Sequence, residues 1–340
     1  MSTASWPERC AERVLEGQSL GRAEALALLA AARDDPWPLL SAADRIRRRF
    51  RGRTVRLCGI AAVKLGRCGE DCRWCAQSAH WATDLEPHGL PPADQLLAAA
   101  RAAAASGAGH FGLVSSGGRL SEDERREVCR IAGRIRRETG LAVCGSFGAL
   151  SADEARALAD AGFVRYNHNL ETSARHFPRV CTTHTYEDRM RSARAAVAGG
   201  LELCSGGIFG VGEDDADRVD LALAIRDLGP EVVPLNFLHP IPGTPLADAA
   251  PLAPLEILAI VALFRFVLPD RTIKLAGGRE RNLRDLQALM FMAGADSAMI
   301  GNYLTTAGRP VAEDLAMIRD LGLVPEGQAG PRAAGGKADG

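Results

Sequence analysis

Short apolar runs alternate with longer amphipathic runs from about residue 53 to residue 303. The short runs have the length and composition of buried strands, namely Val55 to Ala62, His110 to Ser115, Leu141 to Phe147, Phe163 to Asn169, Leu201 to Ile208, Val232 to Leu238, Thr272 to Ala276 and Ser297 to Tyr303. The longer runs have helical periodicity, and many end at glycine, as in Ala93 to Ala105, Glu122 to Thr139, Ala152 to Ala161, Tyr186 to Ala198, Asp214 to Leu228, Pro254 to Phe266 and Leu283 to Met292. These strand and helix units predict an α/β fold of the (β/α)8 TIM-barrel type, with a doubly wound open sheet as the alternative.

The flanking patterns set the predicted domain limits. Residues 1–52 form an N-terminal helical extension, helical from about Trp6 to Arg51. No linker rich in Ser, Gly and Pro interrupts residues 53–324, so we interpret them as one barrel domain. Residues 325–340 are rich in Gly, Ala and Pro without apolar periodicity, which predicts a short, flexible, disordered tail.

Composition narrows the class of partner. The 41 basic and 42 acidic residues balance to a net charge of -1, and no basic block is present to follow a nucleic-acid backbone, so we expect a small-molecule substrate. Glu8 and Arg9 stand where a secretory signal needs an apolar run, and no later stretch is long and apolar enough to span a bilayer. We therefore expect a cytoplasmic protein that contacts neither nucleic acid nor membrane.

Three cysteines on one short stretch supply the candidate chemistry. Cys68, Cys72 and Cys75 have CxxxCxxC spacing, which gathers three soft thiolates and leaves a fourth position to another group. A structural zinc site normally closes with four ligands, and no second knuckle is present in the sequence, so zinc is the weaker alternative. The spacing favours an iron-sulfur cluster with an open iron.

A second group of cysteines follows from the barrel prediction. Cys58, Cys144 and Cys204 lie on the first, third and fifth predicted strands, and Lys274 lies on the seventh. Because alternate strands of such a barrel fill the interior in shared layers, these side chains can face one another and form a second metal site. The alternative is that they are ordinary core cysteines.

Several further motifs carry a family resemblance. Besides the cysteine loop, they are Tyr166 to Ser173 (YNHNLETS), Thr182 to Arg189 (TTHTYEDR), Cys204 to Ile208 (CSGGI), Pro234 to Leu238 (PLNFL), Pro242 to Leu246 (PGTPL) and Ala276 to Glu280 (AGGRE). Together they resemble the biotin synthase family of the radical S-adenosylmethionine enzymes, from about Arg53 to Leu323. The cysteine loop alone would indicate only the superfamily.

The resemblance implies an activity and its cofactors. Cys68, Cys72 and Cys75 would bind a 4Fe-4S cluster whose fourth iron chelates S-adenosylmethionine. An electron from reduced flavodoxin or ferredoxin would cleave that molecule to a 5'-deoxyadenosyl radical, and sulfur from an auxiliary iron-sulfur cluster would convert dethiobiotin to biotin. The resemblance also implies a homodimer.

The resemblance implies roles for individual side chains as well. Trp74, Asn169, Glu171 and Arg189 match positions that contact S-adenosylmethionine, where a guanidinium suits the methionine carboxylate. An amide offers both donor and acceptor to the ureido ring of dethiobiotin, and the matching positions are Asn167, Asn169 and Asn236. Without the motif match, each Asn is equally typical of a turn at a strand end.

The chain departs from the family pattern at the auxiliary site. Gly112 stands where a 2Fe-2S cluster would find a cysteine, and Lys274 stands where it would find an arginine. Because glycine cannot bind iron and an ammonium differs from a guanidinium in shape, the usual 2Fe-2S ligand set is incomplete. We hypothesise that Cys58, Cys144 and Cys204, with or without Cys181, hold a larger auxiliary cluster.

Two rival functions remain at the level of sequence. Another radical S-adenosylmethionine barrel enzyme, such as a hydrogenase maturase or a methylornithine synthase, would share the cysteine loop but would give Cys144 and Cys204 no set purpose. A non-enzymatic iron-sulfur carrier would expose a cluster with four cysteine ligands in a small domain. Three cysteines on one loop of a long chain disfavour the carrier.

Overall fold

A closed barrel of parallel strands forms the centre of the computed structural model, which describes residues 5–328. The strands are β1 (Thr54–Lys64), β2 (His110–Ser115), β3 (Ala142–Ser146), β4 (Phe163–Asn167), β5 (Glu202–Cys204), β6 (Gly207–Phe209), β7 (Val232–Phe237), β8 (Thr272–Leu275), β9 (Ser297–Met299) and β10 (Val324–Pro325). They pair in the order β1-β2-β3-β4-β5-β7-β8-β9, with β6 beside β7, and β9 pairs again with β1. This closure confirms the predicted barrel and excludes the open sheet.

Helices surround the barrel. They are α1 (Trp6–Leu15), α2 (Arg22–Asp34), α3 (Trp37–Arg51), α4 (Ala93–Ala105), α5 (Glu122–Thr139), α6 (Ala152–Asp160), α7 (Tyr186–Ala198), α8 (Asp215–Leu228), α9 (Pro254–Val267), α10 (Arg279–Leu283), α11 (Leu289–Met292) and α12 (Val311–Asp320). The four helices α5 to α8 each begin with a capping box, in which a Ser, Thr or Asp and an acidic residue three positions later satisfy each other's backbone amides. These local signals explain why the predicted bounds of those helices are accurate.

The fifth predicted strand, Leu201 to Ile208, is two short strands in the structure. β5 ends at Cys204 and β6 begins at Gly207, and both lie beside β7. Between them the backbone approaches β7 closely, since a Cβ added at Gly206 would lie 1.9 Å from the carbonyl oxygen of Pro234. Because glycine has no side chain, the backbone at Gly206 can lie this close to β7.

Two helical elements differ from the pattern. The predicted helix Leu283 to Met292 is wrong as a single helix, because Arg284 has φ +50° and separates α10 from a 3₁₀ turn and the short α11. Conversely, α12 was not predicted. It follows Pro310, and of its described buried side chains, Asp314 and Ile318, just one is apolar, so no apolar stripe stands out in the sequence.

The N-terminal extension packs on the barrel as part of one core. α2 and α3 contact α9, and Leu28, Leu39 and Ile46 belong to the same hydrophobic cluster as the barrel residues. At the C-terminus, Pro325 pairs with Val55 on β1, and residues 326–328 form a 3₁₀ turn. The predicted disordered tail is therefore wrong for residues 325–328, and the rest of it, residues 329–340, lies outside the described residues.

The pleat of the strands sets which side chains enter the barrel. Ile60, Val114, Ser146, Asn167 and Asn236 line a cavity at the C-terminal end of the barrel. Residues two positions earlier on the same strands face the same interior, one layer deeper. Among residues 5–328, no helix is both long and apolar enough to cross a membrane.

Candidate active site

The loop after β1 carries the three predicted cluster cysteines. We call residues 65–88 the cysteine loop. The backbone amide of Cys68 donates to the carbonyl of Gln77 over 2.8 Å, and that of Cys75 donates to the carbonyl of Cys72 over 3.0 Å. The loop thus fixes its own shape through the backbone, which leaves the three side chains available to bind a ligand.

A second segment, which follows β4, anchors the cysteine loop. The carboxylate of Asp71 accepts the backbone amides of Thr182 over 2.8 Å and Thr183 over 3.1 Å. Glu70 accepts the Thr183 hydroxyl and the Nδ1 atom of His184, each at 2.6 Å. Burial alone would raise the pKa of Asp71, but the hydrogen bonds that Asp71 accepts from Thr182 and Thr183 hold its pKa well below the ordinary value. The TTHT motif therefore acts as the anchor of the loop.

The predicted residues Asn169, Glu171 and Arg189 come together beside this anchor. Arg189 Nη2 lies 3.1 Å from Glu171 Oε1, and Asn169 Nδ2 donates to Glu171 Oε2 over 3.3 Å. The other end of the guanidinium contacts Nε2 of His184 at 3.0 Å. Burial raises the pKa of Glu171. His184 and Glu70, to which sequence reasoning gave no role, complete this polar network, and the position of His184 inside the TTHT motif was the available signal.

Two cavities meet at the C-terminal ends of the strands. The outer cavity, of about 270 Å³, is lined by Cys68, Cys72, Cys75 and Arg189 among others. The inner cavity, of about 340 Å³, extends into the barrel, where Cys204 and Lys274 lie on its wall. The residues that line both cavities are Trp74, Cys75, Gln77, Ser146, Asn167, Asn169 and Glu171. The two cavities are therefore adjacent and share part of their wall.

The predicted substrate-binding asparagines differ in how free their amides are. Asn236 donates to the Gly207 carbonyl over 3.1 Å and accepts from the Gly277 amide over 3.0 Å. Asn169 is bonded to Glu171 and to the Gly206 amide. By contrast, the buried Oδ1 of Asn167 has no hydrogen-bond partner among the described residues. An unpaired buried acceptor that faces a cavity is the strongest candidate for a ligand contact.

Deeper in the barrel lies what we call the central cysteine site, Cys58, Cys144, Cys204 and Lys274. All four side chains are buried, and Lys274 Nζ lies 3.8 Å from Cys204 Sγ. Burial raises the pKa of Cys144 to about 12. Arg165 and Lys274 act to lower this pKa, whereas Cys58 and Cys204 act to raise it. The structure thus brings together the residues that the layer argument placed in one layer.

Cys181 lies elsewhere. Its Sγ is 3.9 Å from Cys72 Sγ and 3.4 Å from Nδ1 of His184, and these three residues place ligand atoms within 4.8 Å of one another. It borders a surface depression together with Asp71 and Arg73 and is not among the residues that line the outer cavity. The hypothesis that Cys181 joins the central cysteine site is therefore corrected, because the TTHT segment folds onto the cysteine loop.

Gly112 faces the interior beside the central cysteine site. It pairs with Cys144 across β2 and β3, and a Cβ added to it would lie 3.1 Å from Cγ2 of Ile60. A side chain at this position would therefore be crowded by Ile60. A third cysteine comes instead from Cys58, one layer below Ile60 on β1.

The residues of the cysteine loop fit the predicted cluster. Cys68, Cys72 and Cys75 border the outer cavity, whereas Cys181 does not, so these three thiols would hold the cluster and leave its fourth iron to another ligand. The polar groups of Asn169, Glu171 and Arg189 stand across the same cavity. This arrangement suits a metal-bound molecule that carries both charged and hydroxyl groups.

Comparison with known proteins agrees with these features. The model of the Radical SAM superfamily matches residues 63–225, and that of the Biotin and Thiamin Synthesis associated domain matches residues 234–324. The chain is 49% identical over 320 residues to the biotin synthase of Geobacter sulfurreducens, which covers 94% of this chain and 97% of the relative. It is 50% identical over 289 residues to the biotin synthase of Heliobacterium modesticaldum, covering 85% of this chain and 89% of the relative.

Solved structures share the fold at lower identity. Methylornithine synthase superposes with a TM-score of 0.80 at 19% identity, covering 93% of this chain and 97% of the other. The FeFe-hydrogenase maturase of Carboxydothermus hydrogenoformans gives a TM-score of 0.77 at 17% identity, covering 94% of this chain and 79% of the other. These similarities show the barrel architecture alone.

Proposed function

The chain belongs to the biotin synthase family of radical S-adenosylmethionine enzymes, and we propose that its two cavities carry out sulfur insertion into dethiobiotin to form biotin. The single observation that carries this proposal is that the two cavities adjoin and share part of their wall. The outer one is bordered by three cysteines and the inner one by Cys204 and Lys274. The rival barrel enzymes are disfavoured. Methylornithine synthase and the hydrogenase maturase share the fold at 19% and 17% identity, whereas the biotin synthase of Geobacter sulfurreducens is 49% identical to this chain.

In this proposal the cysteine loop binds a 4Fe-4S cluster through Cys68, Cys72 and Cys75. When bound, the cluster supplies the single electron that cleaves S-adenosylmethionine. Burial, with the Cys68 thiol and Glu171, raises the pKa of Cys75 to about 11, so this thiol would release a proton on binding a metal. The anchor through Asp71 holds the loop rigid as this charge changes.

S-adenosylmethionine occupies the outer cavity. The Arg189 guanidinium, already oriented by Glu171 and His184, offers donors to the methionine carboxylate. Asn169 and Glu171 face the ribose hydroxyls, and the half-buried ring of Trp74, which lines both cavities, packs against the adenine. These groups hold the reactive carbon of the nucleoside at the junction of the cavities, which excludes water from it.

Dethiobiotin occupies the inner cavity, with its ureido ring at Asn167. The free Oδ1 of Asn167 accepts a ureido N–H, while Asn236 and Asn169 shape the surrounding wall through their bonds to backbone groups. This places the substrate between the junction of the cavities and the central cysteine site.

The central cysteine site supplies sulfur. We propose that Cys58, Cys144 and Cys204 hold an auxiliary iron-sulfur cluster larger than 2Fe-2S, with Lys274 as a buried counter-charge. The donor set supports this, since the Lys274 ammonium, buried beside these thiols, is costly in a barrel core unless an anionic group offsets its charge.

The family also guides three wider proposals. A reduced flavodoxin or ferredoxin donates the electron, and the exposed Arg67, Arg73 and Arg179 around the cysteine loop suit an acidic donor protein. The enzyme acts in the cytoplasm as a homodimer.

An anaerobic assay tests the function. Protein reconstituted with iron and sulfide is incubated with S-adenosylmethionine, dithionite and dethiobiotin, and we expect both 5'-deoxyadenosine and biotin. Cys68→Ala should abolish both products, whereas Cys129→Ala, a cysteine on the outer helix α5, should abolish neither. Absence of 5'-deoxyadenosine from the wild type would contradict radical chemistry of any kind. Formation of 5'-deoxyadenosine without biotin would contradict dethiobiotin as the substrate.

A further inference from the structure

A buried arginine lies beside the central cysteine site without a role in the function described so far. Arg165 on β4 pairs in register with Cys144 on β3, and Asn167, two residues later, pairs with Cys204 on β5. Its side chain is 9% exposed. The guanidinium therefore enters the barrel between the strands that carry two of the three cysteines.

The hydrogen bonding of this guanidinium is incomplete. Nη2 donates to Glu202 Oε2 over 2.6 Å, but Glu202 is half exposed at the lower rim of the barrel. The Nε–H of Arg165 is buried and has no acceptor among residues 5–328. Leaving a buried donor of a charged group unpaired is unfavourable, so it indicates a missing acceptor.

The surrounding charges point to an anionic acceptor. Lys274 Nζ lies 3.8 Å from Cys204 Sγ, and Arg165 enters the same interior from β4. Cys144 and Cys204 lie on the strands on either side of Arg165. Two buried cations thus face three cysteines.

We propose that Arg165 is a positioning residue of the central cysteine site, whose Nε–H donates a hydrogen bond to sulfur of an anionic iron-sulfur group held by Cys58, Cys144 and Cys204. The inference rests on the proposed function, which places such a group there. Arg165 and Lys274 then neutralise the group from opposite sides, and Glu202 orients the guanidinium from below.

The test isolates this group from the loop cluster. A full-length variant with Cys68→Ala, Cys72→Ala and Cys75→Ala is reconstituted anaerobically, and its iron, sulfide, visible spectrum and reduction potential are measured. Into this background we introduce Arg165→Met, Arg165→Lys and, as a matched control on the same ion pair, Glu202→Gln. Thermal melting of each metal-free protein reports on folding.

With Arg165→Met, we expect the iron to yield to a chelator at about 10-fold lower concentration, as is typical for loss of a hydrogen bond to a metal ligand. Arg165→Lys keeps the charge without the Nε donor, so it should keep the iron but shift the spectrum and the reduction potential. Glu202→Gln should keep iron, spectrum and potential. Unchanged iron, spectrum and potential in both Arg165 variants would overturn the inference and leave Arg165 as a structural partner of Glu202. If the background with Arg165 intact binds no iron, the central site of the proposed function fails as well.

Discussion

At the scale of single residues, the sequence motifs predicted the proposed cluster ligands but not the polar groups that hold the cysteine loop in place. Cys68, Cys72 and Cys75 were recognisable from spacing alone. Glu70 and His184 were not, because their contact joins segments more than a hundred positions apart. The role of a polar residue depends on which of its hydrogen bonds remain open, and a sequence does not show that.

Asn167 gives the sharpest residue prediction. Asn167→Leu should raise the dissociation constant for dethiobiotin by about tenfold, since one buried hydrogen bond is worth about 1.4 kcal/mol. The free energy of unfolding should not fall, because the replaced Oδ1 is unpaired in the folded chain. Equilibrium binding and urea unfolding of the same preparation check both parts. A loss of stability with unchanged binding would show that Asn167 is structural.

Cys181 gives the second prediction at the residue scale. Cys181→Ala should leave the auxiliary iron unchanged, because the residue lies beside Cys72 and away from the central cysteine site. Cys58→Ala should remove that iron. Iron and sulfide analysis in the background that lacks the loop cysteines measures both. Equal iron loss in the two variants would restore Cys181 to the auxiliary ligand set.

At the scale of elements, local signals predicted what local forces determine. The helices with capping boxes and the eight strands of the barrel could be predicted from periodicity and turn residues. The break at Gly206 does not, since it results from the approach of Pro234 on a strand that is distant in sequence. The pairing of β10 with β1 could not be predicted either, because it joins two segments that lie far apart in the sequence.

The start of α8 has a pH-dependent contribution to stability. Burial would raise the pKa of Asp217, but hydrogen bonds from Arg175, Ser173 and the Asp214 amide lower it from 3.8 to about 2. A folded-state pKa below the unfolded value stabilises the fold above that unfolded value, and the contribution disappears as the pH falls through the folded value. At neutral pH the difference amounts to about 2 kcal/mol.

Asp217→Asn should therefore lower the free energy of unfolding by about 2 kcal/mol at pH 7, and the gap to the wild type should close as the pH falls from about 4 to about 2. Urea unfolding of the metal-free proteins across this range measures it. Asp227→Asn, at a mostly exposed position of the same helix, is the matched control and should cost less than about 0.5 kcal/mol. A gap that does not depend on pH would contradict this assignment.

At the scale of the whole molecule, one buried ion pair joins the N-terminal extension to the barrel. Asp296, between α11 and β9, accepts from Arg265 of α9 over 2.6 Å, from Arg51 of α3 over 2.8 Å and from the Ile273 amide over 2.8 Å. Burial lowers the pKa of Arg265 to about 10, although Asp296 opposes the shift. Sequence patterns gave no sign of this network, because its members are far apart in the chain.

Asp296→Ala should lower the free energy of unfolding by about 3–5 kcal/mol, because it leaves the Arg265 charge buried without its partner. Asp270→Ala, an exposed carboxylate near Arg271, should have little effect. Chemical denaturation of the full chain compares the two. A loss of less than about 1 kcal/mol at Asp296 would show that the network contributes little to the fold.

The central claim is that one barrel holds two iron-sulfur groups in line, with the substrate between them. Anomalous diffraction at the iron edge, from anaerobically grown crystals of the reconstituted enzyme, tests it most directly. The account predicts one iron peak beside Cys68, Cys72 and Cys75 and a second, deeper in the barrel, between Cys58, Cys144 and Cys204. A single peak at the cysteine loop, or none, would contradict it.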